Sequence, residues 1–74
     1  MEQEQTIPII DFSGKVLGYI KKYSKLKKEI ALTFDRKVLG YYYYDRNETT
    51  DFNGIILGKG NLLVGLIYGN IQKK

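Results

Sequence analysis

The chain has no cysteine and no histidine, and a single proline in 74 residues. Without cysteine there is no disulfide, and without cysteine or histidine an ordinary zinc site has no ligands. The same absences remove the commonest general base and the commonest thiol nucleophile. No apolar run approaches the roughly 20 residues of a membrane-spanning helix. The opening stretch MEQEQTIPII carries acidic residues where a secretory signal would carry an apolar core. These absences lead us to expect a cytoplasmic, non-enzymatic protein that holds no metal and no cofactor and does not bind membranes.

What is present argues for a folded domain. Hydrophobic residues make up 43% and aromatics 14% of the chain, too many for a disordered segment. A chain of 74 residues forms one domain at most, spanning 1–74. At this size the apolar surface buried on folding roughly offsets the cost of ordering the chain, so self-association is an expected source of extra stability. The net charge is +4, and Lys21, Lys22, Lys25, Lys27 and Lys28 concentrate in one loop.

The sequence repeats itself. KVLGY occurs at 15–19 and again at 37–41, an offset of 22, and DFSGKVLG at 11–18 matches DFNGIILG at 51–58, an offset of 40. A third match, at an offset of 47, lays GNLLVGLI at 60–67 over the same unit. Each copy reads as a β-hairpin, because β-branched and aromatic residues alternate with Gly, Asn, Asp and Ser at short intervals. Asn53-Gly54 and Gly60-Asn61 are turn dipeptides, Gly14 supplies a positive φ, and Arg36 stands where the second copy lacks the turn glycine.

The expected fold is all-β: about seven short strands, near 6–11, 15–23, 29–34, 37–44, 48–52, 55–58 and 62–69, in three to four hairpins near 6–23, 28–44, 48–58 and 59–70. Closing or nearly closing such a sheet, with internal pseudo-symmetry, removes its reactive edges. Simple alternation places Val16, Gly18 and Ile20 on one face and Leu17 and Tyr19 on the other. It likewise groups Val38, Gly40, Tyr42 and Tyr44 against Leu39, Tyr41 and Tyr43. The mid-strand glycines Gly18, Gly40, Gly58 and Gly65 mark points of bending or close approach, and Gly14 and Gly54 mark turns.

The pattern Asp-Xaa-Xaa-Gly-Lys-Xaa-Leu-Gly-Tyr-Ile at 11–20, echoed at 33–42 and 51–58, resembles the unit of the small bacterial four-fold β-flower proteins. The resemblance implies short hairpins set around a pseudo-symmetry axis, and implies no particular activity.

Residues that could carry chemistry have simpler readings. Asp11, Asp35, Asp45 and Asp51 could pair as acid and base, but Asp at hairpin turns is ordinary turn chemistry. DRNETTDFNGII at 45–56 spaces oxygens as a calcium loop does, yet Thr50 and Ile56 stand where that loop needs Gly and Glu. GKGNLLVG lacks the glycine spacing of a phosphate loop. The remaining candidate is a surface made of Tyr19, Tyr23, Tyr41, Tyr42, Tyr43 and Tyr44 with Lys21 and Lys22. It suits a structural or protein-binding module that self-associates or takes a protein partner. The alternative is a small β-barrel that binds nucleic acid, stacking bases on tyrosines beside a basic loop.

Overall fold

The computed structural model describes residues 4–72. Six strands run in chain order as one antiparallel sheet: β1 (Glu4–Ile10), β2 (Val16–Tyr23), β3 (Lys28–Thr33), β4 (Val38–Tyr43), β5 (Glu48–Asp51) and β6 (Ile56–Lys59). One helix, α1 (Leu63–Gln72), follows.

The turns β1–β2, β3–β4 and β5–β6 lie at the same end of the sheet and are built alike. In each, the residue before the loop accepts a hydrogen bond from the amide three positions on: Gly14 N to Asp11 O, Arg36 N to Thr33 O and Gly54 N to Asp51 O. Its own amide then donates across the loop, to Lys15 O, Lys37 O and Ile55 O. This is a three-residue loop whose last residue must take positive φ. Gly14 adopts +89° and Gly54 +88°, while Arg36 takes +73° in the same place, where a side chain costs about 1 kcal/mol. Side-chain oxygens complete the loops. Asp11 Oδ1 accepts from the amides of Ser13 and Lys15, Asp51 Oδ1 from Asn53 and Ile55, and Thr33 Oγ1 from Lys37.

The Val-Leu-Gly and Ile-Leu-Gly triplets form β-bulges, in which two residues of one strand oppose a single partner. Ile9 pairs with Gly18 but Ile10 with Val16, leaving Leu17 as the extra residue. Leu39 is skipped between Ala31–Gly40 and Leu32–Val38, and Leu57 between Thr49–Gly58 and Thr50–Ile56. The bulge breaks simple alternation, so Leu17 joins Gly18 and Ile20 on the face that α1 covers, and Leu39 packs against the same core. Val16 and Val38 fall on the other face. The groupings expected from strict alternation are corrected at these two valines and two leucines.

The helix lies over the glycines. A Cβ on Gly18 would sit 2.4 Å from Leu32 O and 3.1 Å from Ile67 Cγ2, and one on Gly40 2.4 Å from Thr50 O and 2.7 Å from Leu66 Cδ1. On Gly58 it would come within 3.1 Å of Leu62 Cδ1. These strand glycines mark close approach by a helix packed on the sheet. Leu63 and Ile67 are fully buried between helix and sheet, joined by Leu17, Ile20 and Ala31.

Three expectations are corrected. The segment 62–69 is helical, so the fourth hairpin at 59–70 is absent and Gly65 lies in α1, where an added Cβ meets nothing within 4 Å. Leu63, Leu66 and Ile67 follow the spacing of one helix face, and Asn61 caps its start instead of turning a hairpin: Asn61 Oδ1 accepts from Leu63 N at 3.1 Å. Six strands form, where seven were expected. The sheet is open: β1 pairs only with β2 and β6 only with β5. A single helix covers one face, which buries apolar surface without the sheet curling onto itself. Pro8, on the free edge strand β1, sits out of phase with the inward-donating Asp11, so its missing N–H falls on the unpaired side.

Candidate functional site: the uncovered face of the sheet

Counting outward from the bulges, alternate residues form three rows across the face away from α1. The first row, in strand order, is Glu4, Tyr23, Lys28, Tyr43, Glu48 and Lys59. The second is Thr6, Lys21, Ile30, Tyr41, Thr50 and Ile56. The third contains Pro8, Tyr19, Leu32 and Val38. The character changes row by row, from alternating charge and tyrosine at the loop end to apolar residues near the phenylalanine turns.

Cations lie on the tyrosine rings. Lys28 Nζ is 5.6 Å from the Tyr41 centroid, the Arg36 guanidinium 5.1 Å from Tyr19 and that of Arg46 4.4 Å from Tyr43. Such contacts contribute about 0.5 to 1 kcal/mol each at exposed sites. Tyr41 and Tyr43 are neighbours, with centroids 6.2 Å apart. At the edges Lys21 pairs with Glu4 at 3.0 Å, and Glu48 receives Lys59 at 3.3 Å and Arg46 at 3.7 Å. The hydrogen bond it donates to Glu4 holds the Lys21 ammonium above its ordinary pKa. Three cations thus meet two carboxylates on this face, and Lys28 and Arg36 lie over rings.

The tyrosines and lysines singled out in the sequence divide between the two faces. Tyr19, Lys21, Tyr23, Tyr41 and Tyr43 are on the uncovered face, whereas Lys22 lies opposite Glu29 of β3 in the register and shares the helix side with Tyr42 and Tyr44. There Tyr42 donates to Asn47 Oδ1 at 2.7 Å and Tyr44 to Glu29 Oε2 at 2.6 Å. Glu29 is buried, and its other oxygen accepts from Asn61 Nδ2 at 3.0 Å. The bond to Glu29 is the main cause that pushes the Tyr44 phenol up to about 12, with burial adding to it.

Residues that sequence reasoning passed over also gather. Phe12, Phe34 and Phe52 stand at the second position of the three like turns, 99%, 65% and 62% exposed. The 22-residue and 40-residue offsets already aligned them, since TF at 33–34 and DF at 51–52 fall over DF at 11–12. Lys28, Arg36, Arg46 and the buried Glu29 carried no comparable signal, because their roles depend on strand register.

Two clefts mark the surface. One of about 440 Å³ is lined by Glu4, Gln5, Lys22, Ser24 and Tyr44. The other, about 480 Å³, lies between α1 and the β5–β6 turn, with Leu39, Phe52, Leu57 and Leu66 on its walls. Asp11 and Asp51 spend their carboxylates on turn amides, and a hydrogen bond from the Ser13 hydroxyl is the largest cause lowering the pKa of Asp11. Among the described residues no three acidic side chains gather to hold a metal ion, and no helix is long and apolar enough to cross a membrane. No protein-family model, no curated protein and no solved structure matches this chain.

Proposed function

We propose that this chain is a non-enzymatic structural module that binds protein, and first of all itself, through the uncovered face of its sheet. One observation carries the reading: Tyr19, Ile30, Tyr41 and Tyr43 are only half-buried on a sheet face that no described element covers, while α1 covers the other. A sheet apolar on both faces needs two covers. The like construction of three hairpins supports descent from one repeated unit, with pseudo-symmetry along the sheet.

Sedimentation velocity across the micromolar range tests the reading. The expected result is a reversible dimer that Ile30→Lys returns to monomer without loss of the β-sheet circular dichroism signal. A wild-type protein that stays monomeric throughout overturns it.

A second reading is favoured by the cations over Tyr19, Tyr41 and Tyr43, a combination that also suits single-stranded nucleic acid. Its test is fluorescence anisotropy with labelled single-stranded oligonucleotides. Binding must weaken steeply with salt. It must also respond to Lys21→Ala more than to Lys22→Ala, since those side chains project from opposite faces.

A further inference from the structure

We infer that two copies of this chain stack uncovered face to uncovered face about a two-fold axis parallel to the strands, running between β3 and β4. The inference rests on the self-association proposed above and specifies its geometry. Face-to-face sheets with nearly aligned strands are a standard packing, about 10 Å apart. A two-fold axis makes the contact isologous, so each pair of residues occurs twice.

The residue rows select this axis. Rotation about a line along the strands carries β1 over the partner's β6, β2 over its β5 and β3 over its β4, and keeps each row opposite itself. In the first row Glu4 then meets Lys59 of the other copy, Tyr23 meets Glu48 and Lys28 meets Tyr43. A carboxylate faces an ammonium, a phenol faces a carboxylate and a cation faces a ring. Nearer the centre Ile30 meets Tyr41 and Lys21 meets Thr50, while Leu32, already buried within its own chain, lies opposite Val38. The result is an apolar middle with opposite charges at both rims, the usual anatomy of a protein interface.

The competing two-fold axis, perpendicular to the strands, lays each strand over its own copy and the first row over the third. Lys28 would then press on Leu32 and Tyr23 on Tyr19, burying charge against apolar side chains without partners. Six strands at about 4.8 Å and five residues at about 3.3 Å span roughly 29 by 17 Å, about 490 Å² in plan per copy, which suits a small, reversible interface. Lys59 can reach across, since its side chain remains 74% exposed even while its ammonium pairs with Glu48 in the single chain.

The test is complementation between charge-reversed chains. Glu4→Lys alone places two ammonium pairs at the rims of its homodimer, and Lys59→Glu alone places two carboxylate pairs there. Each is expected to weaken dimerisation about tenfold or more. Mixed in equal amounts, the two variants regain both opposite-charge contacts, and the heterodimer is expected to recover most of the wild-type affinity. Carbodiimide coupling of mixed heavy-isotope and ordinary wild-type protein gives a second readout that needs no substitution: an inter-chain Glu4–Lys59 link. A wild-type dimer with neither recovery on mixing nor that link overturns this geometry and leaves self-association standing. A wild-type protein that never dimerises overturns both.

Discussion

Asn61 and Glu29 stand 32 residues apart in the chain, and the Asn61 amide donates to the Glu29 carboxylate at 3.0 Å while its own oxygen caps the first turn of α1. One side chain therefore fixes where the helix begins and docks that beginning on β3. Thr49 assists, accepting from Leu62 N and donating to Gly60 O. Asn61→Ala removes the cap, at about 1 to 2 kcal/mol, and leaves a buried carboxylate oxygen unpartnered, at about 1 to 3 kcal/mol. Urea unfolding should report a loss within the range of those two effects. Asn61→Asp keeps the cap but sets a second carboxylate against Glu29. It should be destabilised at neutral pH and regain stability as the solution is acidified; if it matches wild type at neutral pH, the contact with Glu29 is unimportant.

The glycines make predictions of opposite sign. Gly18→Ala and Gly40→Ala force a methyl against a backbone carbonyl and against the side chains of Ile67 and Leu66, so each should destabilise by about 1 to 3 kcal/mol. Gly65→Ala meets open space on a helix, where alanine is preferred by about 0.8 to 1 kcal/mol, and should stabilise. Thermal unfolding of the three variants checks this. A stable Gly40→Ala protein would mean that α1 does not cross the sheet there.

How far the chain could be read from its residues follows from the same positions. Turn chemistry is local, so Gly14 and Gly54 announced their turns, whereas Arg36 takes the same positive φ where the turn glycine was missing, and strands β1 to β6 fell close to their expected places. The triplet Val-Leu-Gly was visible twice and its analogue Ile-Leu-Gly once, but their meaning was not. A bulge is defined by the partner strand, and the skipped Leu17 and Leu39 carry no mark of it in their own segment. The helix was missed because Leu62, Leu63 and Val64 followed by Leu66 and Ile67 read as a continuous apolar run, and Gly65 and Gly69 argue locally against helix. Packing against the sheet outweighs that preference. The split of the tyrosines between faces needed the bulges first.

Acid should expose the work of Asp11. Hydrogen bonds from Ser13 and Lys15 favour its carboxylate, so its pKa in the fold lies below the ordinary 3.8. A group with a lowered folded pKa contributes stability above its unfolded value and loses it as pH falls through the folded one. Asp11→Ala should therefore melt below wild type at neutral pH, and the gap should close only when the solution is well below pH 3.8. A gap unchanged across that window would mean that the carboxylate's charge contributes nothing to the turn.

Alkali acts on Tyr44 with the opposite sense. Donation to Glu29 holds the phenol neutral and raises its pKa from 10.0 to about 12. Its contribution is complete below the unfolded value of 10.0 and is lost as pH climbs through about 12. Tyr44→Phe leaves Glu29 Oε2 without its donor and should cost about 1 to 2 kcal/mol at neutral pH. The cost should shrink in strong alkali, where the wild-type phenol ionises beside the same carboxylate. Ultraviolet titration of wild type against the variant isolates this one phenol. If the difference spectrum develops around 10.0 in place of about 12, the Tyr44–Glu29 bond does not persist in solution, and the anchoring of the 44–47 loop to β3 fails with it.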